Sequence, residues 1–246
     1  MSKVQRDVKV QRDVTGAHEY VVVRGGLVVD RSGRREADVL VRADDVVDVA
    51  DNIVVPHGAL ELDASGCVVA NGLVDLHAGF GGPGNEECET NLTGSRAAAS
   101  GGYTTVLVAT DPKAPIDSVA ALRDRQFPGP DVCEVRYCGA ITAGHGPDRL
   151  AAIGELAAAG IRVFSDGGTG IANTDLLRHA FEYGRPLDVI FSVHPEDVTL
   201  ARGGVMHEGA WSSRLGLPGR SASSELLGTQ RLLGLCELTG ARLHFH

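Results

Sequence analysis

The chain has 246 residues, 43% of them hydrophobic and 22% charged, with 32 glycines; these proportions describe a globular protein with a sizeable core and many short turns, not a disordered chain. A formal charge of −9 without a basic stripe excludes a nucleic-acid or anionic-membrane surface. The five cysteines, Cys67, Cys88, Cys133, Cys138 and Cys236, make an odd set without C-x-x-C spacing, which predicts reduced thiols in a cytoplasmic protein and excludes a zinc finger.

The N-terminus is charged throughout and offers no apolar core for a signal peptide, and no later segment nears the roughly 20 apolar residues of a bilayer span. Val4-Gln5-Arg6-Asp7-Val8 recurs as Val10-Gln11-Arg12-Asp13-Val14, so residues 1–19 are expected to form a flexible arm. From Tyr20 the pattern changes. Short β-branched runs at Tyr20–Val23, Leu27–Val29, Ala37–Val41 and Val46–Val49, punctuated by Gly25-Gly26 and Ser32-Gly33, predict an antiparallel β-meander over 20–62.

Residues 63–246 alternate between the two periodicities. Strands are expected at Cys67–His77, Tyr103–Ala109, Glu134–Ile141, Ile161–Phe164, Leu187–Val193 and Arg242–His246. Helices are expected at Glu86–Ser100, from Asp117, at Asp148–Ala159, Asn173–Tyr183 and Ser223–Thr239, with a long polar loop after Val193. Such alternation implies parallel βαβ units. Gly79, Gly81, Gly82 and Gly84 do not fall at the G-x-G-x-x-G spacing of a dinucleotide fold. Polar residues stand at strand C-terminal ends instead: His77, Asp111, Asp166, His194 and His246. In a (β/α)₈ barrel those ends form the catalytic face, so the pattern favours a barrel.

His77, His194 and His246 each end a strand. Alone, any one would be read as a core histidine satisfied by a hydrogen bond. Their recurrence at the same end of separate parallel strands raises a metal site instead, because those ends converge. His57, His145, His179 and His207 read as surface residues, and His18 belongs to the arm. His244, two residues before His246 and on the same strand face, is either an inward group one layer deeper or a packed core residue, the latter preferred.

The motif Val69-Ala70-Asn71-Gly72-Leu73-Val74-Asp75-Leu76-His77 resembles the first barrel strand of the amidohydrolase superfamily. Gly82-Pro83-Gly84-Asn85-Glu86, Gly101-Gly102-Tyr103-Thr104-Thr105-Val106, Phe164-Ser165-Asp166-Gly167-Gly168 and His194-Pro195-Glu196-Asp197 resemble the long-chain bacterial dihydroorotases. The likeness continues through Gly203–Gly209, Leu215–Gly219 and Glu237–His246, and so runs from about Tyr20 to the end. It implies an incomplete amidohydrolase-type (β/α)₈ barrel behind a small β-meander. It also implies His77, His194 and His246 as retained zinc-ligand positions, with the zinc weakly held or absent. Asp111 falls where the family has a substrate-recognising asparagine.

The same resemblance marks departures. The partner of His77 in the family's His-x-His falls on Gly79, the substrate-binding arginine on Gly81, and the metal-bridging carboxylate on Gly167. Glycine neither coordinates a metal nor pairs with an anion. The aspartate that serves the family as general base has no counterpart up to His246, and no catalytic residue is assigned. The expectation is a degenerate, truncated dihydroorotase-like pseudoenzyme of pyrimidine biosynthesis. It would act as an assembly partner of aspartate transcarbamoylase or self-associate, since strands at both ends of an unclosed barrel expose backbone groups. The alternatives are a residual zinc-dependent cyclic amidohydrolase and an inert fragment.

Overall fold

A computed structural model describes residues 19–43, 45–80, 86–126 and 132–246. The expected arm lies outside these residues except for Glu19, as does Gly81. The chain divides into two compact units, residues 1–71 and 72–246.

In the first unit, β1 (Tyr20–Asp30), β2 (Gly33–Arg42) and β3 (Asp45–Ala50) pair antiparallel, as the turn residues require. The two runs expected on either side of Gly25-Gly26 are one strand. The register with β2 slips between Val23 and Gly26, a bulge rather than a turn. Glycine is needed there because a Cβ on Gly26 would stand 2.4 Å from Val69 Cγ2. The sheet also exceeds the expected meander: β4 (Leu60–Asp63) and β5 (Val68–Ala70) both run parallel to β1. Those pairings hold residues 63–71 with the first unit, where the sequence placed its boundary at 62/63.

Asp38 organises this sheet. It is buried, accepts backbone N–H groups from Gly25 at 3.0 Å and Ile53 at 3.2 Å, and pairs with Arg24 at 2.6 Å. The Gly25 and Ile53 amides, with Arg24 behind them, hold its carboxyl below the ordinary 3.8. A depressed carboxyl stabilises the fold fully above its unfolded pKa, and that contribution disappears as pH falls through the folded pKa. The first sheet is therefore expected to lose stability in acid below that ordinary value, and Asp38→Asn is expected to flatten the loss. NMR urea titrations following β1 and β2 amides at neutral and acidic pH check this; an unchanged acid loss in Asp38→Asn refutes it.

The second unit carries the parallel strands. They are β6 (Leu73–Ala78), β7 (Tyr103–Val108), β8 (Glu134–Tyr137), β9 (Gly139–Ala140), β10 (Val163–Ser165) and β11 (Ile190–Val193). Between and after them come α1 (Asn91–Ser100), α2 (Val119–Arg125), α3 (Ile153–Ala158), α4 (Thr174–Gly184) and α5 (Val198–Ala201). A ribbon of β12 (Met206–His207) and β13 (Gly219–Arg220) encloses α6 (Ala210–Leu215); α7 (Ala222–Thr239) and β14 (Arg242–Phe245) follow. The expected polar loop after Val193 thus holds two short helices and a parallel ribbon.

Strand order is β6-β7-β8 in one sheet and β9-β10-β11-β14 in the next, every pairing parallel. The expected strand Glu134–Ile141 is broken at Cys138, whose N–H reaches Val108 O at 2.9 Å. There the chain leaves its bonds to β7 for bonds to β10. Consecutive βα units in chain order form an arc of an amidohydrolase-type (β/α)₈ barrel, as expected. The expected strand Cys67–His77 is divided at Gly72 between the two units. Helix α1 begins later than the expected Glu86 because Thr90 and Thr93 form a reciprocal capping box there.

The core lies between the strands and their helices. Phe164 and Phe191 face Ile153, Leu156, Leu177, Phe181, Leu232 and Leu235. Each such side chain contributes about 1.5–3 kcal/mol by leaving water. Alternation turns the neighbouring residues the other way. Ser165 pairs in register with Ser192, and Ser192 with His244, on the face opposite Phe164, Phe191 and Leu243. His244 is therefore an inward group and not the core residue preferred from sequence.

Candidate active site at the strand ends

Asp166, His194 and His246 follow β10, β11 and β14 directly, and His77 lies near the end of β6. In-register parallel pairing of β10, β11 and β14 brings the ends that carry Asp166, His194 and His246 together. The His77 and His246 rings stack, with centroids 4.3 Å apart and planes 26° apart, and the His194 ring lies 6.2 Å from that of His246. The structure thus gathers all three sequence-predicted histidines.

The Nδ1 atoms of His246 and His194 meet protein oxygens. Ser192 Oγ lies 3.0 Å from His246 Nδ1, and His246 O lies 3.4 Å from His194 Nδ1. His194 Nε2 faces the buried carboxylate of Glu196 at 3.7 Å, which Arg220 of β13 pairs from the other side at 3.3 Å. Among the described residues, His246 Nε2 is buried without a hydrogen-bond partner, 3.9 Å from Asp166 Oδ1. Asp166, itself buried, accepts N–H groups from Gly168 at 2.9 Å and from His194 at 3.2 Å.

Burial sets the charge of this group. It raises the Asp166 carboxyl above 3.8 despite those N–H groups. It also lowers His246 to about 4, helped by the neighbouring His77, His194 and His244. A neutral imidazole can accept one hydrogen bond and donate another to a small polar ligand. Activating water is a different task.

A zinc site needs several ligand atoms at about 2.0–2.2 Å from one point, each imidazole holding the ion in its own ring plane. Stacked rings keep their nitrogens in nearly parallel planes and do not converge. Among the described residues, no three histidine, cysteine or carboxylate side chains are set to hold one ion. The residues present do not fit the zinc that the resemblance implies. At Gly79 an added Cβ would meet nothing within 4 Å, whereas Gly167 lies at φ +64 with Thr110 O 3.0 Å from an added Cβ. Position 79 is open and position 167 is closed.

Asp111 is turned elsewhere. Its carboxylate takes the Lys113 N–H at 2.8 Å and faces the buried Arg125 of α2 at 3.8 Å. Its charge is felt at His145, which the sequence reading left on the surface. His145 is half-buried on a 3₁₀ turn (Ala143–His145) at the same strand-end face, with Nε2 3.3 Å from Thr110 Oγ1. Burial lowers its pKa, and the charges of Asp117 and Asp111 offset only part of that. Sequence reasoning also missed Glu196 and Ser192. His145 carried no such signal, since it lies on a turn beyond the end of β9 and not directly at a strand end.

The profile of the dihydro-orotase-like family matches residues 66–246. Dihydroorotase of Solibacter usitatus (strain Ellin6076) is 40% identical over 228 residues, 91% of this chain and 53% of its own length. This chain belongs to the dihydroorotase-like family. The dihydroorotase of Anaeromyxobacter dehalogenans (strain 2CP-C) is 38% identical over 92% of the chain and 53% of its own length. The dihydroorotase-like chain thus spans about half the length of the curated relatives it matches. Its fold matches the L-hydantoinase (dihydropyrimidinase) of Arthrobacter aurescens with a TM-score of 0.71 at 21% identity, over 92% of this chain and 52% of that one. A solved dihydroorotase superposes with a TM-score of 0.52 at 14% identity, over 92% and 64%. No helix among the described residues is long and apolar enough to cross a membrane.

Proposed function

We propose that this protein is a non-hydrolysing dihydroorotase-like subunit of pyrimidine biosynthesis that acts by association, with aspartate transcarbamoylase as its partner. The observation that carries the reading is the face-to-face packing of His77 on His246, which leaves no convergent ligand set for a metal-bound water. Opening a cyclic amide needs such a water, a polarised carbonyl and a positioned base. Gly79 and Gly167 bring neither ligand nor base to the strand ends.

Association is supported by apolar side chains in water. Leu73, Val74 and Leu76 of β6 and Leu226, Leu227, Leu233 and Leu238 of α7 are all about half exposed or more. The test has two arms on the full chain. Zinc-supplemented protein is expected to show no dihydroorotate hydrolysis above the metal-only control. Mixed with the catalytic chain of aspartate transcarbamoylase, it is expected to co-elute as one complex on size exclusion. Turnover proportional to bound zinc would refute the first part, and separate elution the second.

A further inference from the structure

The family relationship implies zinc at the strand ends, and the side chains there disagree with it for a reason the structure localises. The volume that a side chain at residue 167 would fill is already taken. A Cβ built on Gly167 would lie 3.1 Å from His145 Cε1 and 3.2 Å from His145 Nε2, with Thr110 O at 3.0 Å on the other side. His145 holds this place at a cost, because its φ of +53 lies in the left-handed region that L side chains rarely adopt.

Fixed contacts hold the turn in that conformation. Gly144 N–H donates to Asp117 Oδ2 at 2.9 Å, Thr142 bridges to Leu150, and Thr110 Oγ1 meets the His145 ring. A strained residue fastened from three sides, with its ring against Gly167, points to a role at that strand end.

We propose that His145 is a plug. Its imidazole occupies the side-chain space of residue 167 and leaves the strand-end histidines beside Asp166 as a metal-free group. His194 supports this arrangement, since Glu196 and Arg220 hold its Nε2 side while the His246 carbonyl meets Nδ1. A histidine that ligates a metal keeps one nitrogen free for the ion while the other donates to protein. At His246 the remaining nitrogen, Nε2, lies 3.9 Å from Asp166, and at His194 Nε2 faces Glu196 at 3.7 Å.

The inference deepens the non-hydrolysing reading, on which it rests, and it is tested by cobalt(II) binding followed by visible absorption, without any assay of turnover. The full wild-type chain is expected to develop no saturating band that His246→Ala removes. Two changes should open the site. Gly79→His places a ligand where an added Cβ meets nothing, and His145→Gly clears the plug with the residue best suited to a positive φ. The double variant is expected to bind cobalt at least about tenfold more tightly than Gly79→His alone, with the band lost on adding His246→Ala.

Wild-type protein that saturates with cobalt through His246 would overturn the inference. So would a folded double variant that binds no better than Gly79→His alone. Should the double variant fail to fold, the single variant His145→Gly decides: unchanged ring-proton NMR shifts of His194 and His246 on removing the plug would refute its packing role. A wild-type chain that binds cobalt through His246 yet opens no ring would sink only the plug. One that opens the ring without that band would sink only the preceding reading.

Discussion

Phe191→Ala is expected to destabilise the second unit by about 3–5 kcal/mol. Phe191 sits on β11, between β10 and β14, and is 1% exposed. Its ring packs against Phe181 at 4.7 Å and Phe164 at 6.3 Å between centroids, so truncation removes two aromatic contacts as well as leaving a void. Gly184 abuts the same ring, and a rigid neighbour on each side limits collapse of the cavity. Since domains of ordinary stability unfold at about 5–15 kcal/mol, a large share of the total is at stake. Among the described residues every helix belongs to the second unit, so helical ellipticity in a urea titration reports that unit alone. The midpoint should fall sharply with an unchanged slope, while Phe191→Leu, which keeps most of the volume, should cost far less. A Phe191→Ala loss below about 1 kcal/mol would show that the helices are not held by this cluster.

Gly228→Ala and Gly234→Ala are expected to change stability in opposite directions although both lie inside α7. A Cβ on Gly228 would stand 2.6 Å from Pro195 O and 2.7–2.8 Å from Glu196 C and Cα, all backbone atoms. Either the helix or the 194–197 turn must move, at a cost of about 1–3 kcal/mol for overpacking that outweighs alanine's helical advantage of about 1 kcal/mol. The turn carries His194 and Glu196, and its Asp197 N–H is bonded to Ser224 O at 2.8 Å, so the disturbance reaches the site. At Gly234 an added Cβ meets nothing within 4 Å, and the same substitution should stabilise by roughly 0.5–1 kcal/mol. Paired urea midpoints check the signs, and the His194 ring resonances should move only in Gly228→Ala. Equal shifts for both variants would mean that α7 is not seated on that turn.

The order of α and β elements, the parallel strand arc and the gathering of His77, His194 and His246 could all be read from the amino acids. These depend on periodicity and on residue types at strand ends, which are local properties of the chain. The local record misled where long-range pairing decided the outcome. Gly25-Gly26 has the composition of a turn but sits in a bulge because Val69 crowds it from β5. Glu134–Ile141 has the apolar pattern of one strand but changes neighbours at Cys138. His145 has no periodicity that would mark it; only the approach of the turn after β9 to Gly167 brings its ring into the site. Residue identity by itself determined that metal ligands are lacking at 79 and 167. Tertiary structure alone distinguished the two, leaving 79 open and 167 filled, because the space around a glycine belongs to whatever the rest of the fold packs against it.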